Sequence, residues 1–429
     1  MNLVDGKIVT SEECENILET LDKRILDILT KKQLDPFIVV EACDILSRSL
    51  DVDDYMQILI DLGLSPQFID VYINDAKIML SKEYIINKLN KELGEGDGKS
   101  INYKPPFYDK TVREKIVPLG VLFHIAAGNS DGLPIFTVIE GLLSGNINIL
   151  KLPQEEGGLT VKILMELIRI QPLLADYIYV FDYSSKDIEV MKKLADLADA
   201  IVIWGGDRAI KSVREMASPN TRIIEWGHKM SFAYISSDKV DISDLEGIAE
   251  NICQTNQLLC SSCQGIYLDT ENMDELYLFC GEFLHIMEKT SKKYSADFNI
   301  GVEAQISLRR YNESLKNIFN DTEIFQNENC SITAYTDSKL ETSAMFRNLW
   351  VKRLPKDKII SELRPYKNYL QTVGLICGAN SFDELAQLFW TSGAVRVTGG
   401  GHMSKMYNGM AHDGDYSLRR YTKSVVYEI

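Results

Sequence analysis

The 429-residue chain lacks any run that approaches the roughly 18 consecutive apolar residues of a membrane-spanning helix. Its first residues, Met1–Gly6, lack the basic stretch, apolar run and cleavage site of an export signal, so we expect a cytoplasmic protein. Basic residues are not in excess either. The net charge is −16, which disfavours nucleic-acid binding because that binding depends on cationic surfaces. These absences predict a soluble globular protein with no membrane span.

Two familiar ligand-binding motifs are also missing. No Gly-x-Gly-x-x-Gly follows a strand candidate, so the usual dinucleotide fingerprint is absent. The glycines at 399–401 lack the lysine and hydroxyl residue of a phosphate-binding loop, and we interpret them as a flexible loop. Cys260 and Cys263 form a Cys-x-x-Cys pair, but no second pair or His-x-His cluster supplies further zinc ligands. We therefore predict no metal site.

The chain does have enough apolar residues for two to three structural units, with 45% hydrophobic residues. It contains eight cysteines, and in a reducing compartment most of them should be small core residues. Apolar residues spaced by three and four predict helices over 11–30, about 36–50 and 66–92. The glycine-rich run 93–100 then predicts a loop that leaves this helical layer.

From about residue 117, short apolar runs alternate with helix-length amphipathic segments. The strand candidates are Val117–Ala126, Ile147–Lys151, Tyr177–Phe181, Ala200–Trp204 and Arg222–Glu225, and the helix candidates are 134–144, 159–171, 187–195 and 207–216. This alternation predicts an α/β fold with a doubly wound, mainly parallel sheet. Ligands of such sheets bind beyond the carboxyl ends of the strands, so the candidate chemistry should gather at one edge.

A second mixed region follows. A strand is predicted at Ser231–Ser236 and a helix near 243–256, followed by the segment that contains Cys260. The last residues, Tyr421–Ile429, alternate and are rich in valine and tyrosine, which predicts a terminal strand. Because no neighbouring segment can pair with it, we expect its partner in another subunit or in a distant hairpin.

Cys260 is the candidate nucleophile. It follows the Asn256-Gln257 pair at a helix-to-loop junction, where a thiol can be partly exposed. Neighbouring backbone amides or a helix N-terminus would stabilise its thiolate. The local sequence alone fits a buried structural thiol somewhat better. The pair with Cys263 also allows a redox dithiol.

Several residues at strand ends are candidates for binding or catalysis. Glu225 could act as a base or cap the next turn, and Asn129 could stabilise an oxyanion or form an ordinary turn. Lys151 could bind a phosphate or a ribose hydroxyl, although most such lysines are simply solvated. Gly205-Gly206-Asp207 joins a strand to a helix, where backbone N–H groups can meet a pyrophosphate. Each residue taken alone fits a structural role.

Taken in order, these motifs resemble the aldehyde dehydrogenase superfamily, and most closely its acyl-CoA reductase branch, the LuxC-type fatty acid reductases. Cys260 lies 35 residues after Glu225, which is close to the separation in that superfamily. The ordered set is far more specific than any single motif, and it covers roughly residues 101–429. The matching segments are Pro118–Val121 with Gly128-Asn129, Ser144–Lys151, Trp204–Gly206, Glu225–Lys229, Asn256–Ser262, and His412–Leu418 with Tyr421-Thr422.

The resemblance implies an aldehyde-dehydrogenase-like α/β fold, with a doubly wound Rossmann-type cofactor domain, an α/β catalytic domain and a small oligomerisation β-flap. It also implies a homo-oligomer, which the terminal strand favours. The expected parts are an N-terminal helical layer of the cofactor domain over 1–100, the β-flap over 101–118, the dinucleotide-binding domain over 119–228, the catalytic thiol domain over 229–405, and a C-terminal segment over 406–429 that ends in the oligomerisation strand.

The same resemblance implies a chemistry. Cys260 would accept an acyl group from a thioester, Asn129 would stabilise the oxyanion, and Glu225 would carry a proton or brace the loop. The acyl donor would be acyl-CoA, with coenzyme A as the leaving part of the substrate, or an acylated partner protein. The resemblance favours NADPH as the reductant and leaves NADH open. Cofactor contacts are expected from Lys151, Trp204, Gly205, Gly206 and Gly227.

Three residues depart from the family pattern. His228 replaces the second glycine of the E-L-G-G-K motif, and Asp207 stands where many relatives carry serine after Gly206. Gln154 replaces the glutamate that would oppose a 2′-phosphate, although the next two residues are glutamates. Rival functions are a CoA-acylating or hydrolytic aldehyde oxidiser, a reductase of acyl phosphates, and a non-catalytic scaffold or dithiol sensor.

Overall fold

The apolar runs and amphipathic segments of the sequence form strands and helices in a computed structural model. It describes residues 1–61, 66–94, 100–126, 133–153, 158–236, 240–294, 300–317 and 322–428. The chain divides into two units, the first formed by Met1–Gly227 with Tyr407–Ile429 and the second by His228–Met406. No helix in the described segments has both the length and the apolarity needed to cross a bilayer.

The first unit begins with a short hairpin and a helical layer and continues with alternating strands and helices. Its strands up to residue 227 are β1 Asn2–Val4, β2 Lys7–Val9, β3 Ser100–Tyr103, β4 Val112–Pro118, β5 Val121–Ile125, β6 Ile147–Lys151, β7 Ile178–Phe181, β8 Ala200–Trp204 and β9 Arg222–Trp226. Its helices in the same range are α1 Ser11–Thr30, α2 Pro36–Ser49, α3 Val52–Asp61, α4 Pro66–Leu80, α5 Lys82–Leu93, α6 Leu133–Leu143, α7 Leu159–Ile170, α8 Ile188–Asp196 and α9 Asp207–Met216.

The second unit is also mixed, and the chain then returns to the first unit. The strands of the second unit are β10 Met230–Ser236, β11 Cys263–Leu268, β12 Thr322–Gln326, β13 Ser331–Tyr335, β14 Asn348–Arg353, β15 Leu370–Cys377 and β16 Arg396–Gly399. Its helices are α10 Ile242–Thr255, α11 Met273–Lys293, α12 Ile300–Asn317, α13 Ile359–Leu363 and α14 Phe382–Ser392. The final elements, which belong to the first unit, are α15 Ser417–Arg420 and β17 Thr422–Glu428.

Local capping explains where the N-terminal helices begin and end. Thr10 and Glu13 form a reciprocal capping box at the start of α1: the Glu13 carboxylate accepts from the Thr10 N–H at 2.7 Å. The stretch predicted as one helix over 66–92 is two helices, because Ser81 ends α4 and its hydroxyl caps α5. The sequence analysis did not predict the β1–β2 hairpin or α3.

The main sheet of the first unit has the predicted doubly wound topology. Among the described residues, its strand order is β2-β1-β7-β6-β5-β8-β9. Strands β5 to β9 are parallel, and β1 is antiparallel to β2 and β7. From β5 the chain adds β6 and β7 on one side of the sheet and then β8 and β9 on the other side. The strand order thus reverses between β5 and β8, and sheets of this kind bind ligands in the crevice at the carboxyl ends of these two strands.

The single strand predicted at Val117–Ala126 is wrong, because β4 and β5 belong to different sheets. Gly120 separates them with φ +135°, a backbone conformation that favours glycine. A side chain at Gly120 would also collide with the Asp199 carboxylate, which accepts from the Val121 N–H at 2.8 Å. The run of apolar residues continues through this break, which explains why the pattern did not reveal it.

The terminal strand β17 pairs along its whole length with β4 of the same chain. The pairing is antiparallel from Thr422–Pro118 to Glu428–Val112, and β3 lies on the other side of β4. The distant partner expected for this strand is therefore within the chain, more than 300 residues earlier. Val425, Val426 and Tyr427 of β17 are exposed.

The second unit is built on another largely parallel sheet, with the order β12-β13-β14-β11-β10-β15-β16 among the described residues. Only the β12–β13 pairing of this sheet is antiparallel. Buried clusters cover both faces of the sheet, one packed against α10 and α11 and the other against α13 and α14. Burial on both faces explains the near-continuous apolar runs in its central strands.

Candidate functional site

The carboxyl edge of the first sheet carries most of the predicted cofactor residues. Trp204 ends β8, Gly205 and Gly206 follow it, and Glu225 and Gly227 flank the end of β9 next to it. Lys151 ends β6, two strands away from β8. Asn129 follows β5, but residues 127–132, like Gln154, lie outside the described segments.

Gly206 lies at the start of α9, and no described atom crowds the position of its missing side chain. A Cβ added at this residue would meet no atom within 4 Å, and no side chain caps the first N–H groups of the helix at Gly206. Such a helix start is a favourable site for a pyrophosphate. Asp207 adds a carboxylate to the first turn, which opposes an anion there. The residues therefore fit a dinucleotide through backbone groups rather than through a hydroxyl side chain.

Lys151 is a buried cation at the same edge, with only 5% of its surface exposed. Burial lowers the pKa of its ammonium, and the charge of Asp182 after β7 partly offsets that effect. An electronegative ligand at this position would stabilise the charged form. Lys151 is thus suited to donate to a ribose hydroxyl or a phosphate oxygen.

Two tryptophans and a histidine form an aromatic cluster at the ends of β8 and β9. The Trp204 and Trp226 rings stack at 5.2 Å, and the His412 ring contacts both at 5.1 and 5.2 Å. The Arg420 guanidinium lies 4.9 Å from the centre of the Trp226 ring. Trp204 was a predicted cofactor contact, whereas no role was predicted for Trp226, His412 or Arg420. Only the return of the C-terminal segment brings the last two residues here.

Glu225, the candidate base, is held by Arg214 of α9. Arg214 Nε donates to Glu225 Oε1 at 2.5 Å and its Nη2 donates to Oε2 at 2.7 Å. Arg420 also donates to the Glu225 backbone carbonyl at 3.3 Å. Both carboxylate oxygens thus have a charged partner that the sequence analysis did not foresee. Arg214 is 11 residues from Glu225 in sequence, on the helix that precedes the strand.

A buried polar chain crosses the first sheet behind this edge. His124 Nε2 lies 3.0 Å from Asn148 Oδ1, and His124 Nδ1 lies 2.9 Å from Thr137 Oγ1. Thr137 Oγ1 in turn lies 3.2 Å from the Tyr421 hydroxyl, which connects the C-terminal segment to the sheet. Gly141 leaves the space for Asn148, because a Cβ there would lie 1.8 Å from Asn148 Oδ1.

The directions of these hydrogen bonds fit a neutral imidazole. The Asn148 amide donates to the backbone carbonyl of Asn146 at 2.8 Å, so its oxygen must accept from His124 Nε2–H. His124 Nδ1 therefore accepts from the Thr137 hydroxyl. Burial lowers the pKa of His124 to about 4, which agrees with this assignment.

Cys260 lies in the second unit, five residues after α10 and three before β11. It occupies a turn closed by the bond from the Ser262 N–H to the Leu259 carbonyl at 3.0 Å. Its position is therefore at the amino edge of the second sheet, after the carboxyl end of a helix. Cys260 therefore does not follow a helix N-terminus, which was one of the two sources of thiolate stabilisation predicted from the sequence.

The exposure of Cys260 distinguishes it from the other cysteines. All eight lie in described segments, and Cys260 is the exposed one, whereas six are buried and Cys377 is intermediate. Burial raises the pKa of Cys263 to about 12, and its thiol lies 3.2 Å from the Gly265 carbonyl. A buried thiol of such high pKa is a poor partner for a redox dithiol. The Cys-x-x-Cys pair thus consists of one accessible and one core residue.

Buried hydrogen bonds fix the backbone on both sides of Cys260. The Gln257 amide donates to the Cys263 carbonyl at 3.0 Å, and the Gln264 amide donates to the Gln257 carbonyl at 2.9 Å. Gln264 Oε1 accepts from the Ser343 hydroxyl at 2.7 Å. Gln257 itself has φ +63°, an unusual conformation for a glutamine, so the surrounding bonds must impose it.

Ser231 attaches the turn to the sheet. Its hydroxyl donates to the Cys260 carbonyl at 2.7 Å and accepts from the Thr372 N–H at 3.0 Å, so it links the turn that contains Cys260 to β10 and β15. Ser231 is completely buried. The sequence analysis did not single out Ser231, Gln257 or Gln264 as site residues. An exposed thiol on a backbone held in this way is suited to covalent catalysis, because the nucleophile is positioned without ordering a loop.

Comparison with known proteins places these features in a family. A family model described as acyl-CoA reductase (LuxC) matches residues 48–424. A long-chain acyl-protein thioester reductase of Photobacterium phosphoreum is 24% identical over 86% of this chain and 74% of its own length. The protein of the same description from Aliivibrio fischeri is 24% identical over 82% of this chain and 72% of its own length.

Solved structures agree on the fold. A 3,6-anhydro-L-galactose dehydrogenase superposes with a TM-score of 0.72 at 12% identity and covers 100% of this chain and 99% of its own. Lactaldehyde dehydrogenase from Escherichia coli has a TM-score of 0.71 at 12% identity, covering 100% of this chain and 98% of its own. The fold is therefore that of the aldehyde dehydrogenases, as predicted.

Proposed function

Because the chain belongs to the LuxC family of acyl-CoA reductases, we propose that it reduces an acyl thioester to an aldehyde with NADPH through an acyl group carried on Cys260. The observation that carries this proposal is that Cys260 is exposed on a turn held by buried hydrogen bonds. Transfer of an acyl group to a protein requires an accessible nucleophile in a defined position.

In the proposed reaction the Cys260 thiolate attacks the thioester carbonyl carbon, and the donor thiol leaves as a thiolate. The Asn129 amide and the backbone N–H of Cys260 stabilise the oxyanion, and one such donor contributes about 3 kcal/mol in the transition state. When bound, NADPH supplies the hydride that reduces the acyl carbonyl. Cleavage of the carbon–sulfur bond then releases the aldehyde and restores the Cys260 thiolate.

The cofactor contacts in this proposal come from the first unit. The backbone N–H groups at the start of α9, from Gly206 onward, bind the pyrophosphate, and the Lys151 ammonium binds the ribose or its 2′-phosphate. The Gly205 N–H donates to the Trp226 carbonyl at 3.1 Å, so Gly205 lies beside the pyrophosphate without donating to it. Trp204 and Gly227 border the same crevice. The two similar proteins from Photobacterium phosphoreum and Aliivibrio fischeri are described as long-chain acyl-protein thioester reductases. A long-chain acyl group, delivered from a protein or from coenzyme A, is therefore the proposed substrate.

Intact-mass spectrometry after incubation with tetradecanoyl-CoA in the absence of NADPH tests the acyl-enzyme. We expect a gain of one tetradecanoyl group that Cys260→Ala abolishes. Cys377→Ala is the matched control, because Cys377 is the next most accessible thiol, and it should acylate normally. A wild-type chain that stays unmodified, or one that acylates equally after Cys260→Ala, would contradict the proposal.

Adding NADPH to the acylated protein tests the reduction. Aldehyde should form in an amount equal to the acyl group that disappears, and a parallel reaction with NADH measures the cofactor preference. The reverse mixture, aldehyde with NADP⁺ and no coenzyme A, tests the rival aldehyde oxidiser. Sustained formation of acid in that mixture would refute the assignment as a reductase.

A further inference from the structure

One buried arginine of the second unit connects the ends of two helices. Arg347, directly before β14, is only 3% exposed. Its guanidinium donates to two carbonyls at the carboxyl end of α11, those of Tyr294 at 2.5 Å and Ser291 at 3.3 Å. It also donates to the Cys253 carbonyl in the last turn of α10, at 3.4 Å. A cation is favoured at these helix ends, because the carbonyl groups there carry partial negative charge.

The same guanidinium holds Asn256, the residue that ends α10 and leads towards Cys260. Arg347 Nε donates to Asn256 Oδ1 at 3.1 Å, and the Phe346 N–H donates to the Asn256 carbonyl at 2.9 Å. Asn256 has φ +46°, and Gln257 after it has φ +63°. Two successive left-handed residues that are not glycine are uncommon, so neighbouring bonds must stabilise this bend. Arg347 and Phe346 supply such bonds on the side of Asn256.

The segment that supplies these bonds is itself held in an unusual conformation. Met345, Phe346 and Arg347 have φ values of +59°, +48° and +68°. The Asn348 N–H closes a turn by donating to the Met345 carbonyl at 3.0 Å. Turns whose two central residues both have positive φ usually carry asparagine or glycine there, whereas this turn carries phenylalanine and arginine. Backbone strain of this kind concentrates at functional sites, which points to a role for the side chain that the turn places, Arg347.

The bend at Asn256 fixes the start of the turn that presents the nucleophile. Only three residues separate Asn256 from Cys260. In the proposed reaction Cys260 supplies two groups to one carbonyl, because its thiolate attacks the carbon and its backbone N–H stabilises the oxyanion. A misplacement of about 1 Å in such an arrangement can cost about 10²-fold in rate. A residue that controls this bend therefore controls the alignment of the two groups.

We infer that Arg347 is a positioning residue for acyl transfer to Cys260, an inference that rests on the proposed function. By holding Asn256 in its left-handed conformation, Arg347 keeps the Cys260 N–H aligned with the oxyanion while the thiolate attacks. Alkylation by iodoacetamide makes a smaller demand on the same residue, because the thiolate displaces iodide and no oxyanion forms. Loss of the Arg347 contacts should therefore slow acylation and leave alkylation unchanged.

The experiment compares these two reactions of one thiol. Quenched-flow intact-mass spectrometry measures how fast tetradecanoyl-CoA acylates Cys260 without NADPH, and a parallel series measures alkylation by iodoacetamide. The variants are Arg347→Lys, Asn256→Leu and the two combined, and Cys260→Ala identifies the mass gain that belongs to this thiol. The matched control is Arg353→Lys, because Arg353 also donates to backbone carbonyls, at the other end of β14.

We expect Arg347→Lys and Asn256→Leu each to slow acylation about tenfold or more, with alkylation at the wild-type rate. Lysine lacks the planar fork of arginine, and leucine neither accepts the hydrogen bond nor favours positive φ. Because Arg347 acts through Asn256, the double variant should be no slower than the slower single variant. Asn256→Asp, which keeps an acceptor and tolerates the left-handed conformation, should acylate at the wild-type rate, as should Arg353→Lys.

The outcomes separate this inference from the function on which it rests. If Arg347→Lys acylates at the wild-type rate, the role of Arg347 is refuted while the reductase proposal stands. A parallel fall of acylation and alkylation, or additive effects in the double variant, would show a structural role that does not act through Asn256 and would also refute it. If wild-type Cys260 is alkylated but takes no acyl group, the proposed function falls, and the inference falls with it.

Discussion

Acidification should destabilise the protein through His124, a histidine buried in the first sheet. The neutral ring accepts from Thr137 and donates to Asn148. A protonated ring would have to donate from both nitrogens. Thr137 Oγ1, which lies 3.2 Å from the Tyr421 hydroxyl and 3.4 Å from Trp204 Nε1, would then accept from the ring and would have to donate its own proton to Tyr421. This rearrangement and the burial of the ring both oppose the proton.

The size of the effect follows from the pKa difference between the folded and unfolded chain. Burial lowers the pKa of His124 to about 4 from the usual 6.5. Each pKa unit corresponds to about 1.4 kcal/mol, so the neutral ring accounts for about 3 kcal/mol of stability. Because the unfolded chain binds the proton more readily, this contribution is complete above pH 6.5 and is lost as the pH falls towards 4.

Urea unfolding of wild type and His124→Gln at pH 7.5 and 4.5 measures this contribution. The contributions of other titrating groups to stability cancel when the two proteins are compared at the same pH. The free energy of unfolding of wild type minus that of His124→Gln should be about 2.5 kcal/mol smaller at pH 4.5 than at pH 7.5. A difference that stays constant between the two pH values would refute the requirement for a neutral ring.

Two further predictions concern the positions of the nucleophile and the cofactor. Ser231→Ala leaves the Cys260 carbonyl without its buried donor, so the acylation rate should fall about tenfold, a loss of about 1–2 kcal/mol. The control variant Ser236→Ala, at the other end of β10, should acylate at the wild-type rate. If stopped-flow acylation gives the same rate for Ser231→Ala as for wild type, the role of Ser231 is contradicted. Lys151→Met should raise the KM for NADPH about tenfold or more, with a smaller change in kcat, because it removes a charged donor. Unchanged NADPH binding, followed by its fluorescence, would exclude Lys151 from the cofactor contacts.

Several parts of this protein could be predicted from short stretches of sequence. Strands β6 and β8 and helices α1 and α9 have the predicted bounds, because the period of apolar residues depends only on neighbours in sequence. Alternating strands and helices then implied a parallel sheet that binds its ligands at the carboxyl ends of the strands. The order and spacing of the motifs around Cys260 and Glu225 identified the family that the comparisons confirm.

Other features depended on contacts between residues distant in sequence, and these only the tertiary structure decided. The break at Gly120 arises because the Asp199 carboxylate occupies the space where a side chain would be, and β17 finds its partner more than 300 residues earlier. The burial that makes Cys263 inert and leaves Cys260 exposed is likewise set by packing of the sheet rather than by the Cys-x-x-Cys spacing.

The pairing of Arg214 with Glu225 has the same origin. Arg214 lies in a helix and Glu225 in a strand, so no single period relates them, and they meet because α9 packs beside the strand that follows it. Sequence order by itself determined the family and the candidate site residues, since residue identity and spacing are local properties. The tertiary structure decided which of those residues are exposed, paired or buried, because these properties depend on neighbours that the fold brings together from elsewhere in the chain.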